Sequence, residues 1–166
     1  MLFRSVSFTD PATGIALLSP AQPLSPQAIA AFASDPVLPG TQVSVAGYAY
    51  EDRLPAPVVT LGTVEDIKGL NGEPGLTRLS IAALPGDAGG PVIGANGAVL
   101  GMLLPPDTKG RKLPDGVAFA ASASALTLLL TGHGLTLAAD TATTSATPDA
   151  MAAAARGMTV LGSCWQ

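Results

Sequence analysis

The residues with the clearest chemical potential are Leu84-Pro85-Gly86-Asp87-Ala88-Gly89-Gly90-Pro91-Val92. Glycine admits the dihedrals of a chain that bends tightly back on itself. Such a turn can aim two backbone N–H groups at one oxygen, the arrangement that stabilises a tetrahedral intermediate in acyl transfer. It can equally hold a carbonyl or a carboxylate. At the centre stands Ala88, whose methyl group has no lone pair to attack a carbonyl and no proton for a base to remove. The stretch thus offers a means of binding an oxygen atom without a nucleophile. Gly86 to Pro91 also suits a plain hairpin loop between two strands. Elsewhere reactive side chains are few. His133 is the only histidine and Cys164 the only cysteine, so no internal disulfide and no typical zinc site is expected, and no cofactor.

The elements that must position this turn are short. Gly 19 and Pro 15 divide the 166 residues into brief segments, which suits many strands joined by turns. Hydrophobic residues make up 48% and charged residues 12%, the latter about half the usual share. No run of about eighteen apolar residues occurs, so no membrane-spanning helix is expected. The net charge is −4 and the eight Lys+Arg form no cluster, which argues against nucleic acid as a partner. Met1-Leu2-Phe3-Arg4-Ser5 lacks the apolar core of a secretory signal.

In chain order, residues 2–8 read as a strand with Leu2, Val6 and Phe8 on one face, interrupted by Arg4. Thr9 to Gly14 is turn-rich, with Asp10 a turn residue, and Ile15 to Leu18 reads as a short buried strand. Residues 19–39 hold five prolines; Gln27 to Ala33 suits a helical turn or two, with Ser25 as N-cap and Pro26 first. Strands are expected at 41–46, with Val43 and Val45 on one face, and at 57–67, 76–82 and 115–120. Residues 92–102 form a hairpin around Asn96-Gly97. Ser122 to Leu130 is the best helix, capped by Ser122 or Ser124 and followed by Gly132. Residues 136–147 read as a linker. Pro148 to Arg156 is a short helix with Thr147 as N-cap and Gly157 as its stop, and 158–165 a final strand.

The Gly86–Pro91 stretch resembles the Gly-Asp-Ser-Gly-Gly-Pro loop of trypsin-like serine peptidases, with Ala88 in the serine's place. Gly14-Ile15-Ala16-Leu17 resembles their Asp-Ile-Ala-Leu, with Gly14 in place of the triad acid. Residues 40–48 and 57–67 are similar to two further strands of that family. The order strand, loop, Asn-Gly hairpin, Gly116-Val117-Ala118-Phe119-Ala120, helix is similar to the HtrA/Deg type. The resemblance spans residues from about 5 to 132. It implies a mainly β fold: the C-terminal six-stranded barrel of the two-barrel fold, a partial first barrel, and a short C-terminal helix. It also implies an oxyanion hole at Gly86, Asp87 and Ala88, and a substrate groove at Ala82, Val117, Ala118, Phe119 and Ala120. That groove would pair with an extended peptide by strand addition. His133 comes after the last barrel helix, where the family has no catalytic histidine, and the strands that would carry that histidine are missing.

The resulting division is 1–39 as remnant of the N-terminal barrel and crossover, 40–132 as C-terminal barrel with its closing helix, 133–147 as linker and 148–166 as tail. The tail strand, or a second chain, could complete the first barrel. The functional expectation is a catalytically inactive homologue that binds an extended peptide or protein, or serves as an accessory subunit. The alternative is a fragment, processed chain or Ser-to-Ala variant of an active endopeptidase. Family resemblance favours a periplasmic or extracytoplasmic location.

Overall fold

The computed structural model describes residues 3–11, 13–50, 54–106, 113–139 and 147–162. The chain starts as a hairpin, β1 (Phe3–Asp10) and β2 (Ile15–Pro20), which forms a two-stranded sheet of its own. Asp10 closes its turn. The Gly14 N–H donates to the Asp10 carbonyl at 2.8 Å and the Thr13 hydroxyl to Asp10 Oδ2 at 2.6 Å. β2 is not the buried strand expected for residues 15–18. Ile15 alone is buried, packed with Ala121 and Leu126, while Leu18 is 37% exposed. A hairpin with no neighbour strands shields only the residues that touch the main body.

Residues 27–33 are not helical. Gln27 sits in a bend, and Ala31–Phe32 form β3, parallel to β8 (Val99–Leu103) at Phe32↔Val99. The Ala33 N–H donates to the Val99 carbonyl at 3.0 Å. Tertiary strand pairing outweighs a marginal local helix preference here, and Phe32 joins the Ile15 cluster.

Six strands close into an antiparallel barrel. They are β4 (Gln42–Gly47), β5 (Val58–Asp66), β6 (Leu76–Ile81), β7 (Pro91–Gly94), β8, and β9 (Val117–Ser122), in the cyclic order β4–β5–β6–β9–β8–β7. Closure removes the open edges of a sheet. Val43, Val45, Val64, Leu79, Ile81, Val92, Leu103, Ala118 and Ala120 fill the interior, following the period-two alternation of each strand. β4 is buried on both faces, because Ala46 and Ile93 on the outside are covered by Ala155 of the last helix.

α1 (Ala123–Gly132) follows β9 directly. Ser122 is its N-cap, accepting from the Ala125 N–H at 3.2 Å, as the sequence predicts. Gly132 lies inside the helix, and His133 is the C-cap. The predicted linker contributes β10 (Ala138–Ala139), parallel to β3; residues 140–146 lie outside the described residues.

α2 (Pro148–Met158) has Thr147 as N-cap and Pro148 in its first turn. It runs past Gly157, which was expected to stop it. A Cβ at Gly157 would meet Ala28 Cβ at 3.0 Å, so this glycine lets the helix approach the proline-rich segment. Residues 159–162 pair with no strand, contrary to the predicted final strand, and 163–166, with Cys164 and Trp165, lie outside the described residues. Among the described residues no helix is long and apolar enough to cross a membrane.

Candidate functional site

The loop between β6 and β7 is held from below by one side chain. Asp87 is buried at 1% exposure. Its Oδ2 accepts from the Leu84 N–H at 2.8 Å, and its own N–H donates to the Leu84 carbonyl at 3.0 Å. The Gly90 N–H donates back to the Asp87 carbonyl at 2.9 Å. The other carboxylate oxygen, Oδ1, is buried without a hydrogen-bond partner. Burial pushes the Asp87 carboxyl above the usual carboxylate range, and the Leu84 N–H opposes that shift only in part.

Asp87 lies directly against the end of β4. A Cβ at Gly47 would stand 2.5 Å from both Asp87 Cα and Oδ1. Gly86 has φ +94°, and a Cβ there would run into the Tyr48 carbonyl. These two glycines are what let the loop fold onto β4. Its far end is tied to β8. The Gly89 N–H donates to the Leu103 carbonyl at 2.7 Å, and the Leu103 N–H to the Gly90 carbonyl at 2.9 Å.

Ala82, the loop and the start of β9 lie at one end of the barrel. Ser80 pairs with Val117, and the Ile81 N–H donates to the Gly116 carbonyl at 2.8 Å, which sets exposed Ala82 beside the entry to β9. The next residue after β8, Leu104, donates its N–H to the Phe119 carbonyl at 2.8 Å. The chain at 103–104 therefore bridges the loop and β9. Ala118 and Ala120 point into the core; Val117 and Phe119 lie on the other face, half-buried. Gly86 and Ala88 are exposed, and among the described residues nothing accepts from either N–H. The side chain of Ala88 is a methyl with no polar function to offer.

The other two candidates are engaged elsewhere. Gly14 sits in the β1–β2 turn at φ +73°, without a side chain and with no atom within 4 Å of where a Cβ would be. His133 caps α1, donating its N–H to the Leu130 carbonyl at 3.1 Å. Its ring lies against Phe8 of β1, with centroids 3.8 Å apart and planes inclined by 36°. The single histidine thus fastens the hairpin to the end of α1. Among the described residues no three His, Cys, Asp or Glu side chains form a group able to hold a metal. Sequence reasoning missed Gly47 and the bridge at Leu103–Leu104; neither carries a local signal, since each matters only through a strand brought close by folding.

A closed six-stranded barrel with this Asp87-pinned loop is matched by sequence as well. Residues 4–102 match the family of trypsin-like peptidase domains. The chain belongs to that family. Among solved structures, this trypsin-like peptidase domain is similar to the Rv3671c protease of M. tuberculosis in the inactive form of a serine-to-alanine mutant. Identity is 26% and the TM-score 0.58, over 78% of this chain and 64% of that one. The active form of Rv3671c matches at 25% identity and TM-score 0.59, over 82% of this chain and 60% of that one. The HtrA-type protease AlgW, as a serine-to-alanine variant with a decapeptide, shares the fold at 24% identity and TM-score 0.59, over 79% and 40%. The trypsin-like domain described here spans about 64% of the length of the first of these structures. No curated protein matches the chain.

Proposed function

We propose that this trypsin-like domain is a peptidase homologue without peptidase chemistry, which binds an extended peptide or protein segment. The observation that carries the reading is Ala88. It occupies the place where the family motif has its serine, in a loop tied down on either side of it at Leu84, Asp87, Gly89 and Gly90 and by the close approach to Gly47. Nucleophilic catalysis needs a nucleophile, a base within hydrogen-bond reach and a group that orients the base. Ala88 supplies none of the first, Gly14 none of the last, and the only histidine is stacked on Phe8. In this reading Gly86, Asp87 and Ala88 form an oxyanion-binding loop. Ala82 floors a small apolar pocket, and Val117 and Phe119 line the groove with their side chains; strand addition to Val117–Ala120 is not open, because β9 is already paired with β6 and β8 and the Val117 N–H and Phe119 carbonyl are bonded to Pro114 and Leu104. Support for the groove is that these segments share one barrel end, and that the AlgW neighbour is a complex with a decapeptide.

A second reading is favoured by one observation: two of the similar structures are themselves serine-to-alanine forms of proteases. Ala88 would then be a substitution in an otherwise active endopeptidase. One experiment separates the two. The Ala88→Ser variant is treated with a fluorophosphonate probe and with casein. The binding reading expects neither labelling nor cleavage; labelling at position 88 supports the second reading and removes the first.

A further inference from the structure

We infer that the groove between the β4–β5 connection and helix α2 binds a small apolar acid through a single carboxylate. The groove is separate from the β6–β7 loop. It takes in none of Ala82, Gly86–Ala88 or Val117–Ala120, and its charged residue stands on α2, beyond the residues 4–102 matched by the family. Its volume is about 470 Å³, within the range of roughly 300–1,000 Å³ found for small-molecule sites. The walls are residues 54–59, Leu-Pro-Ala-Pro-Val-Val, and Arg156. Pro55 and Pro57 have a fixed φ and no N–H, so that wall is stiff and offers carbon surface rather than donors. Val58 and Val59 are held by pairing with Gly47 and Ala46 of β4, and Val59 also packs on the Ala46–Ile93–Ala155 cluster beneath α2. Among the lining residues only Arg156 has a polar side chain.

Arg156 is exposed, and among the described residues its guanidinium makes no ion pair or hydrogen bond; the ion pairs there join Arg78 to Glu65 and Asp66. The chain has 12 acidic residues against 8 basic ones, yet this cation stands beside proline and valine. The anion that complements it therefore comes from outside. The last turn of α2 favours a positive charge at that place. A guanidinium takes a carboxylate through two parallel N–H···O bonds. One cation balances one negative charge; a phosphate monoester carries nearly two, and the net charge of −4 opposes the excess. The exposed carbon surface calls for an apolar body behind the carboxylate. Leu54 is 40% exposed, and Leu61, two residues beyond Val59 and hence on the same face of β5, is 77% exposed. Val58 to Leu61 spans roughly 10 Å of strand. A body of that length, lying along Val59 and Leu61 with its carboxylate at Arg156, removes this surface from water.

The test is isothermal titration calorimetry on the full chain with octanoate, neutral octanamide and octyl phosphate, each below its micelle-forming concentration. Octanoate is expected to saturate at one per chain and to bind about tenfold or more tightly than octanamide. It should also bind more tightly than octyl phosphate. Arg156→Gln, a substitution at an exposed position, should remove the preference for acid over amide while the circular dichroism spectrum stays unchanged. Arg156→Lys keeps the charge without the paired geometry and should retain only part of the preference. Leu61→Ser should weaken acid and amide alike, by about threefold or more. The inference is overturned by no saturable binding of octanoate, by equal binding of acid and amide, or by tighter binding of the phosphate. A folded Arg156→Gln protein that keeps the preference, or a Leu61→Ser protein that binds both probes as before, overturns it too. The reading of Ala88 is untouched by any of these outcomes.

Discussion

The contact between Gly47 and Asp87 makes a sharp prediction about what holds the loop in place. In Gly47→Ala the new methyl arrives 2.5 Å from Asp87 Cα as well as from Oδ1. Rotation of the carboxylate relieves the second contact but not the first, because Cα belongs to the backbone. The loop must move by roughly 1 Å to reach ordinary van der Waals distance. Asp87 is tied through Oδ2, N–H and C=O to Leu84 and Gly90, so a shift of that size strains or breaks at least one bond. Overpacking costs about 1–3 kcal/mol, and a lost bond in a buried site adds roughly 1 kcal/mol. A destabilisation of about 2–4 kcal/mol follows, a large share of a total of roughly 5–15 kcal/mol. Urea unfolding followed by circular dichroism measures it as a fall in midpoint at constant slope. Gly132→Ala is the control: no atom lies within 4 Å of the new methyl, inside helix α1, and replacing a helical glycine should be neutral or gain up to about 1 kcal/mol. If Gly47→Ala unfolds within about 0.5 kcal/mol of the parent chain, the loop is not pinned in the way described.

Asp87→Asn tests the electrostatics of the same residue. Burial raises the Asp87 carboxyl, so the folded chain holds its proton to higher pH than the unfolded chain does. Below the unfolded value, about 4, both states are neutral and the residue costs nothing. As pH rises from there through the folded value, the buried charge forms and stability falls. The stability of the parent chain relative to Asp87→Asn should therefore decline as pH rises through that window and then level off; a pH-independent difference in urea midpoints would sink the argument. Leu79→Ala removes a fully buried side chain from the centre of the barrel interior. Its expected cost is about 2–5 kcal/mol, read by the same unfolding curves, and a loss under about 1 kcal/mol would mean the interior repacks freely.

The barrel was legible in the sequence because each of its strands carries its own punctuation. Val43 and Val45 alternate with small residues, Asn96-Gly97 marks the β7–β8 hairpin, and Ser122 marks the start of α1. The misjudged elements are those whose structure is decided by distant partners. Ala31–Phe32 become a strand only because Val99 and Ala138 lie on either side. Gly157 reads as a helix stop but serves as a contact surface for Ala28. Ile15–Leu18 has the composition of a buried strand, yet the hairpin has nothing beyond it to cover Leu18. In the site, the motif located Asp87 and Ala88, whereas Gly47 is invisible until β4 is packed beneath the loop.

The same geometry bears on what the alanine at position 88 means for the fold. Every hydrogen bond that shapes the loop runs through backbone groups or through Asp87, and none runs through the side chain at 88. That side chain is exposed. Exchanging a methyl for a hydroxymethyl there creates no cavity, buries no polar atom and disturbs no strand pairing, so the change in stability should stay within about 0.5 kcal/mol. The shape of the loop is thus independent of whether position 88 can react. A trypsin-like domain with alanine at this position therefore keeps the backbone arrangement of the loop, which is the physical basis for proposing the loop as a binding element. It also makes Ala88→Ser a clean chemical test, since any activity gained or withheld reflects the groups around position 88 and not a damaged fold.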